Sequence, residues 1–355
     1  MDAPSVAILA VVSDVGPARP GRAAALEPIA NRPIAHHVLD ELESVGVSQI
    51  VVVFPISVSQ QIRESLATYV PLNGVAFSYL EHEGPLDVAA AITAAASAVG
   101  SAPCIVHVGS GLLGEPLSSF VDRVGAGSLD ASLFVHQGGG CSGGSLSRAT
   151  KDMLHIEEFD PARAALGLAG VGLFGRDALR CAAAAPWNRA DEVDLTALAE
   201  RLKASGGTLQ VLPANSWRNY AGDPLDLLEL NRLALERIDP SPTRADNNGN
   251  RTEGCVFVDP GALVRSSVIV GPAVIGPGAA VIDAYIGPYT SIGARARIEG
   301  VEIERSIISE GASVQHVGGR IVSSIVGRDA RVFRDFSLPR ALRLRVGDGT
   351  EVALC

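Results

Sequence analysis

The sequence predicts an α/β domain built on a mostly parallel sheet, followed by a parallel β-helix. Two patterns carry this expectation. Up to about residue 238, short β-branched runs alternate with amphipathic helical stretches, which indicates βαβ units. From about Val256 to Val332, aliphatic residues recur every six positions, a period that fits neither a helix nor an ordinary strand pair but does fit the walls of a β-helix.

In the first part, Val6–Val12 reads as a buried strand and Pro33–Val45 as a helix. Gln49–Phe54 and Phe77–Leu80 read as strands, with a helix over Ser59–Thr68 between them. An Ala-rich helix over Asp87–Val99 leads to a strand at Cys104–Val108. Gly, Pro or Ser follows each strand closely, as expected where loops at the carboxyl edge of a parallel sheet form a site. Gly138–Ser147 is a Gly/Ser-rich loop. Gly170–Phe174 is a further strand and Pro224–Leu235 a helix.

Residues 239–254 are polar and rich in Pro and Asn, and mark a domain boundary. The expected organisation is therefore an α/β domain over 1–238, a linker over 239–254, a hexapeptide-repeat coil over 255–336 and a cap or tail over 337–355. In the coil, Ile269, Ile275 and Val281 are followed by Ile286, Ile292 and Ile298, with one five-residue step at a corner.

Composition narrows the function classes. The formal net charge of −10 over 355 residues disfavours a nucleic-acid partner. No stretch is long and apolar enough for a membrane span. The first apolar run lacks a basic flank and is followed at once by a turn, so no secretory leader is expected. Five scattered cysteines without C-x-x-C spacing point to reduced thiols in a cytoplasmic protein. The histidines show no metal-ligand spacing.

The order of motifs then carries a resemblance. P-I-A-N-R-P-I from Pro28 resembles the P-x-x-N-K-P-I helix of glucose-1-phosphate thymidylyltransferases. Y-L-E-H-E-G-P-L-D-V-A from Tyr79 is similar to their E-Q-x-x-P-L-G-x-A nucleoside-binding segment. Ala169–Phe174 looks like the G-x-Y-L-F strand, Asp191–Thr196 like G-E-x-E-I-T, and Pro224–Arg232 like the stretch before the C-terminal extension. The coil sequence G-P-Y-T-S-I-G and the ending P-R-A-L-R-L resemble the long form of the family found in antibiotic sugar pathways. The resemblance implies a Rossmann-like nucleotidyltransferase domain followed by a left-handed β-helix. It also implies a reaction joining a nucleoside triphosphate to a sugar 1-phosphate with release of pyrophosphate.

That chemistry needs backbone N–H groups against the triphosphate, cations for developing phosphoryl charge and carboxylates for Mg²⁺. Most of these positions are replaced. Where the family has G-G-x-G-T-R, this chain has Val11, Val12, Ser13, Asp14, Val15 and Gly16, with Arg19 and Arg22 nearby as partial substitutes. The family's Lys falls on Ala24. The first metal carboxylate, in G-D, falls on Ser110 of Gly109-Ser110. The Lys of E-K-P falls on Glu158. The second metal Asp, in D-T-G-x-P, falls on Tyr220, and Asp223 is the nearest carboxylate. The nucleoside segment has Asp87 in place of Gly. Glu81, Gly170, Glu192 and Asp194 match family positions, and the resemblance makes Glu192 a contact to sugar hydroxyls.

No catalytic residue or cofactor is expected with this set, Mg²⁺ being required only if transfer survives. The expectation is a diverged, pseudoenzyme-like member that binds a sugar phosphate or nucleotide. It would support a sugar or antibiotic pathway as a homo-oligomer or as the partner of an active paralogue. The alternatives are an active transferase with a rewired site, forming an NDP-sugar or NDP-cyclitol, and different transfer chemistry on the same scaffold.

Overall fold

The computed structural model describes residues 4–12, 23–124, 130–137, 166–175, 178–179, 195–238, 249–334 and 336. The Gly138–Ser147 loop and the tail from residue 337 lie outside them, as does most of the linker.

The first part contains β1 (Val6–Ala10), β2 (Pro28–Ile29), β3 (Arg32–Pro33), α1 (Ile34–Ser44), β4 (Gln49–Pro55), α2 (Ser59–Ala67), β5 (Ala76–His82) and α3 (Val88–Val99). It continues with β6 (Cys104–Val108), β7 (Gly111–Leu113), α4 (Leu117–Val124), β8 (Ala131–Gln137), β9 (Leu166–Phe174), α5 (Leu195–Ala204), β10 (Leu209–Pro213), β11 (Trp217–Asn219) and α6 (Pro224–Leu235). Seven strands form one sheet in the order β10-β8-β9-β6-β1-β4-β5. β9 runs antiparallel to β6 and β8, and the other pairings are parallel. β1 and β6 are buried along their whole length, because helices cover both faces of the sheet and every side chain meets a core.

Local chemistry sets the helix limits. In α1, Ile34, Val38, Leu39 and Leu42 form one buried stripe. Asp87 caps α3 by accepting from the Ala90 N–H at 2.7 Å, and the helix ends at Gly100, whose φ is +61°. Asp223 caps α6 by accepting from the Leu225 N–H at 2.9 Å, with Pro224 at the first helical position, where its missing N–H is harmless.

The second part is a five-coil parallel β-helix. Its first coil is β12 (Arg251–Glu253), β13 (Val256–Val258) and β14 (Leu263–Arg265). The second is β15 (Val268–Val270), β16 (Ala273–Ile275) and β17 (Ala280–Ile282). The third is β18 (Tyr285–Ile286), β19 (Thr290–Ile292) and β20 (Arg297–Glu299), and the fourth β21 (Glu302–Glu304), β22 (Ile307–Ile308) and β23 (Ser313–Gln315). The last is β24 (Arg320–Val322), β25 (Ile325–Val326) and β26 (Arg331–Phe333). Stacked coils make three five-stranded parallel sheets, the arrangement expected of a left-handed parallel β-helix. β12 pairs with β15, so the first rung lies inside the stretch read as linker.

The five-residue step seen between Val281 and Ile286 repeats. Partners at Val268, Tyr285 and Glu302 are 17 residues apart, one short of three hexads. The corners absorb the difference with left-handed residues, among them Ser266, Asp283, Tyr289, Arg305 and Ser323. Ile269, Ile275, Val281, Ile286, Ile292 and Ile298 all point inward and are buried.

One sheet of the coil docks on the α/β domain. Its outward ladder is Phe257, Val274, Ser291, Ile307 and Ile325, and Val274 and Ile307 join the α/β core. Asn231 of α6, fully buried, holds the centre. Its Oδ1 accepts from the Ala30 N–H at 2.8 Å and from Ser291 Oγ at 2.9 Å, while its Nδ2 donates to Tyr289 O at 3.1 Å. Asn31 Nδ2 donates to Ile292 O at 2.7 Å. The asparagines of the N-R-P-I and L-E-L-N-R motifs therefore join the two domains.

Candidate functional site

The carboxyl ends of β1 and β6, where parallel strands release their loops, hold the buried residues Gly109 and Ser110. Gly109 follows β6, and its N–H donates to Ala10 O at 2.8 Å. A Cβ there would sit 3.3–3.4 Å from Leu9, Ala10 and Ala25, so the strand end is tightly packed. Ala24, the position of the family's Lys, is buried at the start of the short 3-10 turn Ala24–Leu26. It brings no cation.

Ser110 sits between β6 and β7. β7 pairs antiparallel with β11, which places Asn219 opposite Gly111. The two side chains meet: Ser110 Oγ donates to Asn219 Oδ1 at 2.6 Å. The Tyr220 N–H donates to Ser110 O at 2.9 Å, and Tyr220 is buried in the α/β core. The side chain that converges on Ser110 is therefore Asn219, one residue before the position aligned with the second carboxylate.

Trp217 is buried and packs against two glycines of this edge. A Cβ on Gly170 would lie 2.6 Å from its indole and 3.0 Å from Val108, and one on Gly111 would strike the same ring. Gly170 thus matches the family position for a packing reason. His107 meets Trp217 edge-on with ring centroids 5.7 Å apart. Its Nδ1 is 2.8 Å from Val108 O and so carries the proton, while the buried Nε2 has no partner among the described residues. Burial pushes its pKa down to about 4, which keeps the ring neutral.

Among the described residues, the carboxylates that follow Asn219 are engaged elsewhere. Asp223 caps α6. Asp226 is mostly buried, and desolvation and then Asp223 raise its pKa against the pull of Arg218. A divalent cation needs anionic oxygens that converge, and the neutral Ser110–Asn219 pair does not fit Mg²⁺. Asp87 is committed to the α3 cap. Glu81 accepts from Ser59 Oγ at 2.6 Å and pairs with Arg63 at 3.0 Å, and these hydrogen bonds hold its pKa below the usual value. Gly16, Arg19, Arg22, Glu158, Glu192 and Asp194 lie outside the described residues.

The structure thus brings together Gly109, Ser110 and Gly170 and sets Glu81 and Asp87 on separate elements. Sequence reasoning missed Asn219, Trp217 and His107. W-R-N-Y carried no signal for Asn219, because only the pairing of β11 with β7 brings it to Ser110.

The architecture is a mostly parallel α/β sheet followed by a three-sided parallel coil. The chain is 29% identical over 330 residues to a glucose-1-phosphate thymidylyltransferase of Streptomyces griseus, covering 91% of each. It is 26% identical to that of Streptomyces antibioticus and 26% identical to a low-salt glycan biosynthesis nucleotidyltransferase of Haloferax volcanii, covering 93% of each chain in both cases. A crystal structure of a Bacillus anthracis protein described as a glucose-1-phosphate thymidylyltransferase, solved with sucrose, superposes with a TM-score of 0.52 at 15% identity. That match spans 67% of this chain and 96% of the other and shows the fold. No family model matches the chain. The protein is thus a sugar-1-phosphate nucleotidyltransferase-like chain, similar along nine-tenths of its length to glucose-1-phosphate thymidylyltransferases. Among the described residues, no helix is long and apolar enough to cross a membrane.

Proposed function

We propose that this protein binds a nucleotide or sugar phosphate at the carboxyl edge of its sheet without performing ordinary Mg²⁺-dependent nucleotidyl transfer. It serves as a ligand-binding or supporting subunit in a sugar pathway. The observation that carries this reading is the 2.6 Å hydrogen bond between Ser110 and Asn219. Two neutral groups that satisfy each other replace the pair of anions that a metal would require. Loss of one electrostatic donor at such a site costs roughly a hundred- to a thousandfold in rate, and here the buried Ala24 also supplies no cation.

The retained scaffold supports binding over decay. Gly109 and Gly170 keep the strand ends closely packed, and Asn31 and Asn231 keep the coil docked. The ligand class comes from the relatives, whose names specify glucose 1-phosphate and a thymidylyl group. Calorimetric titration of the full chain with dTTP, with and without Mg²⁺, tests the reading. Saturable binding of equal affinity under both conditions is expected. Binding that tightens strongly with Mg²⁺ contradicts it.

A further inference from the structure

A crevice about 320 Å³ in volume lies between α6, β11 and one corner of the β-helix, and is lined by Arg218, Glu229, Arg232, Tyr289, Arg305 and Ser323. In a chain of net charge −10, three guanidinium-bearing side chains line it with a single carboxylate. That carboxylate is shared: Glu229 Oε2 accepts from Arg232 Nε at 2.9 Å, and its Oε1 lies 3.7 Å from Arg305 Nη2. Glu236, outside the crevice wall, takes the other side of Arg232 at 2.7 Å, and Asp226 interacts electrostatically with Arg218.

Other arginines of the coil differ. Arg297 pairs with Glu299 on its own strand, and Arg320 pairs with both Glu302 and Glu304 on the adjacent rung. Arg305, by contrast, sits at a corner with φ +48° and reaches across the domain boundary, where its nearest acid is already bonded to Arg232. Tyr289 and Ser323, also at left-handed corner positions, complete the lining together with Leu225 and Leu228.

We propose that this crevice is an anion site for a phosphate monoester or free phosphate, assembled by both domains and separate from the Ser110–Asn219 pair. Guanidinium groups bind phosphate oxygens through charge-assisted, paired hydrogen bonds. The volume admits a phosphate with a small organic body. Arg218 precedes Asn219 directly in β11, so one short strand reaches both sites. The proposal does not depend on the function proposed above.

Calorimetric titration of the full chain with inorganic phosphate and, separately, with glycerol 3-phosphate in a low-ionic-strength chloride buffer tests it. Arg305→Asn is the informative variant, because Asn tolerates the left-handed backbone. Saturable binding is expected, weakened about tenfold or more in Arg305→Asn and less in Arg305→Lys. Tighter binding of the ester than of phosphate identifies an ester as the occupant, and equal binding identifies the free anion. No saturable binding of either probe, or a change in Arg305→Asn smaller than about threefold, overturns the proposal.

Discussion

Ser110 Oγ donates its hydrogen bond to Asn219 Oδ1 across 2.6 Å, joining the end of β6 to the end of β11. The two residues are 109 positions apart in the chain and meet only because β7 and β11 pair. Each group is neutral, so the contact needs no counter-ion.

Restoring that charge gives a direct prediction. The double substitution Ser110→Asp with Asn219→Asp sets two carboxylates side by side. Without metal they repel, and one pKa rises. Stability should fall by roughly 1–3 kcal/mol at neutral pH and recover when Mn²⁺ is added. Mn²⁺ binding followed by electron paramagnetic resonance should appear in the double variant and be absent from the unaltered protein. Each single variant should bind weakly.

Asn231 predicts how the domains hold together. Asn231→Ala removes two acceptances and one donation at a buried position, leaving the Ala30 N–H, Ser291 and the Tyr289 carbonyl without this partner. The expected loss is about 2–4 kcal/mol, read by denaturant unfolding. Hydrogen exchange should quicken first at Ala30 and along β19, which face the lost amide.

Gly170 is retained because Trp217 lies against it. Gly170→Ala places a Cβ 2.6 Å from the indole, an overpacking that costs roughly 1–3 kcal/mol. Pairing it with Trp217→Leu should recover part of that loss, measured as a double-mutant cycle on unfolding free energy.

One half-buried and one fully buried histidine predict an acid-sensitive fold. His37 and His107 are both pushed down to about 4, chiefly by burial, against an ordinary value near 6.5. The unfolded chain therefore takes up protons first. The stability is fully present above pH 6.5 and is lost as the pH falls from there through about 4. Each residue should contribute up to roughly 3 kcal/mol over that window. His107→Phe keeps a ring against Trp217 and should flatten the acid limb of unfolding midpoints recorded across pH.

Much of this was readable before any coordinates. The aliphatic period of the coil is dictated by a single inward side chain per strand, so Ile269 to Ile298 announce it unaided. α6 begins where expected because Asp223 and Pro224 are a cap and a first-turn residue together. β12 was not readable, since Arg251, Thr252 and Glu253 carry no aliphatic signal and pair only through the coil above. The Ser110–Asn219 contact was hidden for a related reason: alignment by motif placed the second carboxylate on Tyr220, and only the register of β7 against β11 selects Asn219. Asp87 stands in the segment that resembles the nucleoside-binding stretch, and its carboxylate caps the first turn of α3.

The most direct test is pyrophosphate release from the purified full chain given each nucleoside triphosphate, glucose 1-phosphate and Mg²⁺. With Ser110 and Asn219 bonded to each other in place of a metal site, release no faster than the protein-free blank is expected for every nucleotide. Steady release above the blank that Ser110→Ala abolishes would contradict the account.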